Sequence, residues 1–276
     1  MTTSAKTAGP KDSRSRFGFH TAPFSREIPI DRRFEVDFFE EAVKSLETAV
    51  LQRESAALIA PAGSGKILVL RALAERLPEA RFRVRYVKVT NLSRRDMCRE
   101  ISYAMDVPAA GQLPTLVRNL QERLRAVESD GLRPALLLDE AHDMRPETLG
   151  LLEIVTNFDM DSRLVVSIVL AGQPPLSRTL QRPEMEGVAR RLVHFATLRP
   201  LSREETSAYV EHRCAVAGNV TPPFDPQALE AIYEISRGNL RAIDRLAGKA
   251  LEIAAQKGED VVGAPHLILA RKVLWP

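Results

Sequence analysis

The sequence contains little cysteine, few aromatic residues and no long apolar run. Two of its 276 residues are cysteine and 5% are aromatic. Because Cys98 and Cys214 lie far apart in the chain, they exclude a disulfide framework or a cysteine metal knuckle and are typical of the reduced cytoplasm. The longest apolar run, about 164–171, is far shorter than the ~20 residues of a membrane helix, and the N-terminus has no apolar signal segment. We therefore expect a cytoplasmic protein without membrane contact.

Charge is spread unevenly along the chain. Hydrophobic residues make up 45% and charged residues 27%, which is typical of a globular protein with a sizeable core. The formal net charge is +3, and residues 1–16 account for all of it, since they hold four basic residues and one acidic residue. We expect this segment to be a disordered basic tail. It either touches phosphate groups or is simply solvated.

Alternating elements between residues 17 and 199 predict an α/β domain. Apolar runs predict strands at 55–60, 82–89, 134–139, 164–171 and 192–198. Amphipathic helices are predicted between them, one of which begins after Ser93 with Asp96 in its first turn. This pattern is typical of a parallel sheet covered by helices on both faces. After Pro200 only helices are predicted, near 202–217, 225–236, 239–256 and 264–272, so residues 200–276 are expected to form a helical lid domain.

A glycine-rich segment with a lysine lies between a predicted strand and a predicted helix: Ala60-Pro-Ala-Gly-Ser-Gly-Lys66-Ile67. It resembles the phosphate loop G-x-x-x-x-G-K-[ST]. Its glycines allow backbone N–H groups to point at phosphate oxygens, the next helix adds its positive dipole end, and Lys66 would reach the β- and γ-phosphates. We therefore predict an ATP site at Ala62, Gly63, Ser64, Gly65, Lys66 and Ile67.

Two positions of this loop depart from the pattern. Ala60 stands in place of the first glycine, which is a mild change. Ile67 stands where serine or threonine supplies a hydroxyl ligand to Mg²⁺, and isoleucine has no oxygen. Because isoleucine is β-branched like threonine, we still expect the helix to begin there. Phosphate binding is expected to survive better than metal placement and hydrolysis.

An apolar segment, Leu136-Leu-Leu, ends in the acidic pair Asp139-Glu140. An aspartate at the end of a buried strand holds Mg²⁺ in phosphate-loop proteins, and a following glutamate can act as general base on the attacking water. Open α/β sheets bind their ligands at the carboxyl ends of the strands. We therefore predict Asp139 as the metal ligand and Glu140 as the base.

Four further residues are candidates for sensing the nucleotide. Gln173 follows the predicted strand 164–171 and is expected between the acidic pair and the γ-phosphate, the alternative being an ordinary loop amide. Arg190 and Arg191 precede the last strand, where one of them can stabilise γ-phosphate charge in a neighbouring subunit, or both are solvated. Arg241 opens a helix of the lid domain and can reach back over the phosphates, or it forms a surface salt bridge.

The order of these motifs resembles that of AAA+ ATPases. Within them it is most similar to the branch shared by ExeA-type secretion ATPases and the TniB, TnsC and IstB transposition ATPases. The resemblance covers residues 17–273 and is carried by Phe17-Gly-Phe19 with Pro23-Phe24, the phosphate loop, Leu138-Asp-Glu-Ala-His142, Asn157-Phe158, Ile168-Val-Leu-Ala-Gly-Gln-Pro-Pro-Leu176 and Gly238-Asn-Leu-Arg241. It implies a P-loop AAA+ core with a C-terminal all-helical lid, ATP and Mg²⁺ as cofactors, Gln173 and Arg241 as sensors, and Arg190 or Arg191 as the finger.

The resemblance also implies a partner. ExeA-type proteins carry a membrane segment after the ATPase module, whereas this chain ends at Trp275-Pro276. We therefore expect a transposition helper that forms a homo-oligomeric ring or filament on double-stranded DNA and recruits or stimulates a transposase. Salt-dependent contacts to the DNA backbone are assigned to Lys88, Thr90, Arg94 and Arg95. The alternative is that the charged side chains among them are simply solvated at the start of a helix. The alternatives are an ExeA-like secretion ATPase and a nucleotide-gated scaffold that hydrolyses weakly because of Ile67.

Overall fold

The computed structural model describes residues 13–25, 27–219 and 221–275. The chain divides into two compact units, Asp37–Arg199 and the combination of Met1–Val36 with Pro200–Pro276. We call the first the α/β unit and the second the helical unit. The sequence places the boundary between the two domains at the same point, between residues 199 and 200. It also predicts that the α/β domain starts at residue 17, whereas the α/β unit starts at Asp37.

The α/β unit is built on a five-stranded parallel sheet with the strand order β2-β3-β4-β1-β5. Its strands are β1 (Ser55–Ile59), β2 (Phe82–Lys88), β3 (Arg133–Asp139), β4 (Ser167–Gly172) and β5 (Leu192–Thr197). Strands β3 and β4 are buried almost throughout, whereas the edge strands β2 and β5 carry exposed side chains. Strand β4 begins three residues later than predicted, since Leu164 is exposed to solvent.

Helices flank this sheet and connect its strands. They are α2 (Asp37–Leu51), α3 (Lys66–Arg76), α4 (Arg94–Ala104), α5 (Leu113–Ser129), α6 (Pro146–Thr156), α7 (Pro174–Leu180) and α8 (Glu186–Ala189). The predicted start of α4 is confirmed, because the Ser93 side chain accepts a hydrogen bond from the backbone N–H of Asp96. The apolar faces of α4, α5 and α6 contact one another and contribute to the buried core. The predicted α/β fold class is confirmed.

The carboxyl ends of three central strands meet at one edge of the sheet. Ile59 of β1 pairs with Gly172 of β4, and Leu138 of β3 pairs with Leu170 of β4. Because these strands run parallel, the phosphate loop after β1, the acidic pair at the end of β3 and Gln173 after β4 emerge at this same edge. Strand register therefore positions the candidate site.

The helical unit contains the short helix α1 and four longer helices. Their bounds are α1 (Ser13–Arg16), α9 (Arg203–Val216), α10 (Pro226–Ser236), α11 (Leu240–Lys257) and α12 (Ala264–Leu274). Arg213 of α9 is buried, and its guanidinium donates to the carbonyl of Pro23 at 2.7 Å and to that of Ser25 at 2.6 Å. These hydrogen bonds tie the N-terminal connector to α9 and explain why it packs in this unit.

The N-terminal segment departs from the expected disordered tail. Residues Ser13–Arg16 form α1. Arg16 holds this turn in place, because its Nε donates to the carbonyl of Glu259 at 2.9 Å and its guanidinium pairs with Asp260 at 2.8 Å. The rest of the predicted tail, 1–12, lies outside the described residues. In the part of the chain that is described, no helix combines the length and the apolar character needed to cross a membrane.

Candidate nucleotide-binding site

The phosphate loop forms a tight turn between β1 and α3. Gly63 and Gly65 have positive φ values of 76° and 100°, which glycine adopts without steric cost. The hydroxyl of Ser64 braces the turn by donating to the carbonyl of Pro61 at 2.7 Å. Gly65 precedes the first residue of α3 and supplies no side-chain cap. The first N–H groups of α3 therefore have no partner one turn earlier in the helix, which makes this helix end suited to an anion.

Lys66 is the first residue of α3, and its side chain is buried. Its Nζ lies 3.9 Å from Oε1 of Glu140. A buried ammonium group requires a partner of opposite charge or hydrogen-bond acceptors, and Glu140 is such a partner here. The structure therefore brings the predicted phosphate-binding lysine and the predicted base together.

Ile67 is the second residue of α3, and its side chain is 45% exposed. The helix begins as expected, since the backbone N–H of Leu68 donates to the carbonyl of Gly65 at 2.9 Å. The side chain of Ile67 carries no oxygen, so this position offers no hydroxyl to a metal. The departure from the motif therefore removes a hydroxyl group from this position without preventing α3 from beginning at Lys66.

Asp139 ends β3 and is 6% exposed. Its Oδ1 accepts a hydrogen bond from the backbone N–H of Glu140 at 2.8 Å, and its Oδ2 accepts one from the hydroxyl of Tyr86 at 3.0 Å. Tyr86 lies on the neighbouring strand β2. Burial, together with the charges of Asp139 and Glu140, raises the pKa of the Tyr86 hydroxyl above its usual range, so this group stays a donor. The sequence around Tyr86 does not indicate this role, because the contact arises only from the pairing of β2 with β3.

Glu140 lies in a sharp turn that also holds a histidine. Its backbone is left-handed, with φ 58° and ψ 31°, and a 3₁₀ turn follows at Ala141–Asp143. Nδ1 of His142 lies 3.5 Å from Oε2 of Glu140, and Nε2 of His142 lies 2.6 Å from Nε2 of Gln173. His142 therefore links the predicted base to the predicted sensor, a role that no motif in the sequence predicts. The sequence signal for this role is the position of His142 two residues after Glu140.

Gly172 allows the end of β4 to approach the turn after β3. A Cβ atom built on Gly172 would lie 2.8 Å from Cδ2 of Leu176 and 3.1 Å from the backbone nitrogen of His142. A side chain at this position would therefore require the Leu176 side chain and the backbone at His142 to shift. Glycine allows Gln173 and His142 to approach closely without such a shift.

The two candidate finger arginines differ in their surroundings. Arg190 is 78% exposed and pairs only with Glu186, one turn earlier in the chain, among its described ion pairs. Arg191 is much less exposed, and its guanidinium binds both carboxylate oxygens of Asp161, with Nη2 2.9 Å from Oδ2. The hydrogen bond and the charge of Arg191 lower the pKa of Asp161 below its usual range. Arg191 is thus engaged within its own unit, and Arg190 is the more accessible of the two.

Arg241 lies in the helical unit, in the first turn of α11, and is exposed. The two residues before Leu240, Gly238 and Asn239, shape the start of α11. Gly238 has φ 73°, and a Cβ atom there would lie 1.9 Å from the carbonyl oxygen of Leu201. The side chain of Asn239 caps α11 by accepting a hydrogen bond from the backbone N–H of Ala242 at 3.1 Å. A role for Arg241 over the phosphates stays a prediction.

The residues predicted to contact DNA lie at the end of β2 and at the start of α4. All of them are exposed: Lys88, Thr90, Arg94 and Arg95. Nε of Arg94 donates to the carbonyl of Glu147 at 2.6 Å, and Nη2 of Arg95 donates to that of Gly111 at 3.0 Å. These bonds hold both guanidinium groups on the surface of their own unit. Contact with DNA stays a prediction.

The groups at the carboxyl edge of the sheet fit a nucleoside triphosphate with Mg²⁺. The N–H groups at the start of α3 and the ammonium of Lys66 are suited to phosphate oxygens. Mg²⁺ is commonly held by one or two carboxylates, water and the substrate phosphates, and Asp139 supplies one such carboxylate. Within the described ranges, no group of three or more His, Cys, Asp or Glu side chains is placed to hold a metal. A metal at Asp139 would therefore not be enclosed by such a cluster, which agrees with a Mg²⁺ ion that keeps water and phosphate oxygens as ligands.

Comparison with known proteins identifies a family and a relative that this chain resembles. Residues 50–180 match the family model described as "AAA domain". The general secretion pathway protein A of Aeromonas hydrophila is 33% identical over 212 residues, and the match covers 75% of this chain and 38% of that protein. This chain thus spans well under half the length of that relative. These findings support an AAA+ ATPase.

Solved structures show the same fold. The Cdc6p protein of Pyrobaculum aerophilum superposes with a TM-score of 0.72 at 17% identity, covering 91% of this chain and 70% of that one. The Aeropyrum pernix ORC1 protein in complex with DNA gives 0.69 at 19% identity, with 91% and 68% covered. The Thermotoga maritima RuvB Holliday junction branch migration motor gives 0.57 at 16% identity, with 91% and 73% covered. At these low identities the likeness establishes the fold alone.

Proposed function

We propose that this chain, an AAA+ ATPase, binds ATP with Mg²⁺ at the carboxyl edge of its sheet, hydrolyses it slowly, and acts as the ATPase module of a secretion-associated assembly. The observation that carries the nucleotide site is the convergence of Lys66, Asp139 and Glu140 at one sheet edge, with Nζ of Lys66 3.9 Å from Oε1 of Glu140. Slow hydrolysis follows from Ile67, which supplies no hydroxyl to the metal.

Each side chain has its own task in this proposal. The N–H groups at the start of α3 and the ammonium of Lys66 bind phosphate oxygens. Asp139 would hold Mg²⁺, which neutralises charge on the phosphate oxygens when bound. Glu140 accepts a proton from the attacking water. Gln173 contacts the γ-phosphate, and Arg241 reports the nucleotide to the helical unit.

Oligomerisation is part of the proposal, because the finger arginine cannot serve its own site. Arg190 precedes β5, whereas the phosphate loop follows β1, and these two strands run parallel with Ser55 paired to Leu192. The two ends of such a strand pair lie roughly 16 Å apart at ~3.3 Å per residue. Arg190 therefore acts on the nucleotide of a second copy, while Arg191 keeps its ion pair with Asp161.

The secretion-associated role is supported by the 33% identity with the general secretion pathway protein A of Aeromonas hydrophila. The matched part is 38% of that protein, so this role is proposed for the module that consumes ATP. Since ATP is used on the cytoplasmic side of a cell envelope, we place this module in the cytoplasm.

A second candidate function is an ATP-dependent regulator of transposition that assembles on double-stranded DNA and engages a transposase. The exposed basic residues Lys88, Arg94 and Arg95 favour it. So does the likeness of the fold to the Aeropyrum pernix ORC1 protein, whose structure was solved in complex with DNA. Contacts of this kind neutralise phosphate charge and weaken as salt is added.

The nucleotide site is tested by binding of a fluorescent ATP analogue and by release of phosphate. Lys66→Ala is expected to weaken binding at least about tenfold, because the variant loses its buried ammonium. Glu140→Gln is expected to retain binding and to lose hydrolysis, because an amide cannot accept the proton. Glu100→Gln, an exposed charge-matched change on α4, is the control. Unchanged nucleotide affinity in Lys66→Ala would contradict the site.

The two partner processes are separated by binding to duplex DNA at low salt with a non-hydrolysable ATP analogue. The transposition role requires DNA binding that the nucleotide strengthens and that salt weakens. The triple variant of Lys88, Arg94 and Arg95 to alanine must then reduce binding uniformly across DNA sequences. Absence of DNA binding in every nucleotide state would leave the secretion-associated role as the better supported of the two.

A further inference from the structure

The turn after β3 places one imidazole between two groups of the nucleotide site. The side chain of His142 is 12% exposed. On one side, its Nε2 lies 2.6 Å from the amide nitrogen of Gln173, and on the other, its Nδ1 lies 3.5 Å from Oε2 of Glu140. Asp143 is a weaker neighbour, since its Oδ1 lies 3.7 Å from Nε2 and its side chain is 55% exposed. His142 thus faces the predicted sensor with one nitrogen and the predicted base with the other.

Hydrogen-bond chemistry decides which nitrogen carries the proton. An amide nitrogen is only a donor, so Nε2 of the imidazole, at 2.6 Å from it, is the acceptor of this hydrogen bond. The proton then lies on Nδ1, where the negative charge of Glu140 also favours it. Nδ1 is buried and has no hydrogen-bond partner in the described part of the chain. A buried donor is seldom left unpaired, and a shift of Glu140 by less than 1 Å would bring its Oε2 within hydrogen-bond distance.

Glu140 is held from two sides in this arrangement. Lys66 lies 3.9 Å from its Oε1, and His142 lies 3.5 Å from its Oε2. When Lys66 turns to a phosphate group, as the proposed function requires, the imidazole is the remaining side chain in this cluster that can orient the carboxylate. The same imidazole forms a hydrogen bond with the side-chain amide of Gln173, and the proposed function places Gln173 at the γ-phosphate.

We propose that His142 is a positioning residue that orients the Glu140 carboxylate through Nδ1–H and couples it to Gln173 through Nε2. This inference rests on the proposed function. A nucleotide that moves Gln173 then moves the imidazole, and with it the base. Sensor and base respond as one unit because both depend on the same ring.

Two substitutions separate the two nitrogens of the ring. In His142→Asn, the amide takes the place of Nδ1 and can still donate to Glu140, but the bond to Gln173 is lost. In His142→Gln, the amide reaches the place of Nε2 and keeps Gln173, but the donor to Glu140 is lost. His142→Ala removes both groups. Melting curves of the three variants are recorded alongside, so that a loss of folding is distinguished from a loss of function.

We expect ATP affinity to change less than about twofold in all three variants, because none of them removes a phosphate-binding group. The hydrolysis rate is expected to fall by roughly 100-fold in His142→Ala and His142→Gln, as for a catalytic group misplaced by about 1 Å. His142→Asn should keep the rate within several-fold of the wild type. Gln173→Ala should cost less in the His142→Ala background than in the wild type, since the two residues act as a unit.

A measurement without turnover makes the test independent of the proposed function. In protein labelled with ¹⁵N-histidine, the ring signals of His142 are assigned by their loss in His142→Asn. They should show a neutral ring protonated on Nδ1, and both ring shifts should respond to Glu140→Gln and Gln173→Ala. A proton on Nε2, no response to either substitution, or equal hydrolysis rates in His142→Asn and His142→Ala would overturn the inference. Failure of the wild type to bind ATP would instead overturn the proposed function and leave the ring measurement valid.

Discussion

Substitution of Ile67 by threonine tests how much of the ATPase machinery this chain lacks. The side chain of Ile67 is 45% exposed, so its replacement by threonine removes one half-buried methylene and exchanges one half-buried methyl for a hydroxyl. At ~0.8 kcal/mol per fully buried methylene, the loss of stability should stay below about 1 kcal/mol. The helix should be unaffected, because isoleucine and threonine differ little in helix propensity.

The gain should appear in metal binding and turnover. Loss of a group that merely supports a metal ligand costs about 10–100-fold in affinity, so a direct hydroxyl ligand should be worth at least about tenfold. We expect Ile67→Thr to lower the Mg²⁺ concentration for half-maximal hydrolysis by about tenfold and to raise the rate at low Mg²⁺ by a similar factor. ATP affinity without Mg²⁺ should be unchanged.

The assay is phosphate release over a Mg²⁺ titration, with Ile67→Val as the matched control. Valine has the shape of threonine but no oxygen, so it separates the hydroxyl from the change in size. If Ile67→Thr and Ile67→Val hydrolyse ATP at the same rate across the titration, the missing hydroxyl is not what limits this protein.

Three further predictions concern stability and reactivity. Arg191 lowers the pKa of Asp161 in the folded protein. Their ion pair therefore stabilises the fold above the ordinary pKa of aspartate, and this stabilisation is lost as the pH falls through the lowered pKa of Asp161. Arg191→Ala should lower the melting temperature at pH 7 but not at pH 2. Burial raises the pKa of Cys98 to about 11 and of Cys214 to about 12, so a thiol reagent at pH 8 should label neither until the protein unfolds, and fast labelling would contradict their burial. Gly238→Ala should destabilise the helical unit by about 1–3 kcal/mol or more in denaturant unfolding, because φ is 73° and the new Cβ would lie 1.9 Å from a backbone carbonyl oxygen.

The likeness to known proteins changes the weight of the two partner processes. The resemblance of the motifs predicts a transposition helper, with a secretion ATPase as the alternative. The comparison with the general secretion pathway protein A supports the alternative better. DNA binding and a transposase partner have no support beyond exposed basic side chains and a shared fold.

The sequence by itself determined the features that depend on neighbours in the chain. The phosphate loop, the helix start at Ser93 and the strand–helix alternation were all predicted correctly in type, because glycine spacing, capping and apolar periodicity are local properties. The departure at Ile67 was equally visible, since it concerns the identity of one side chain in a motif.

Only the tertiary structure decided which distant residues meet. Tyr86 reaches Asp139 because β2 pairs with β3, and His142 reaches Gln173 because β4 ends beside the turn after β3. Strand order and register bring these groups together, and neither is written in the local pattern around any one of them. The same reason explains the N-terminal connector, whose place in the helical unit depends on the buried Arg213, far along the chain.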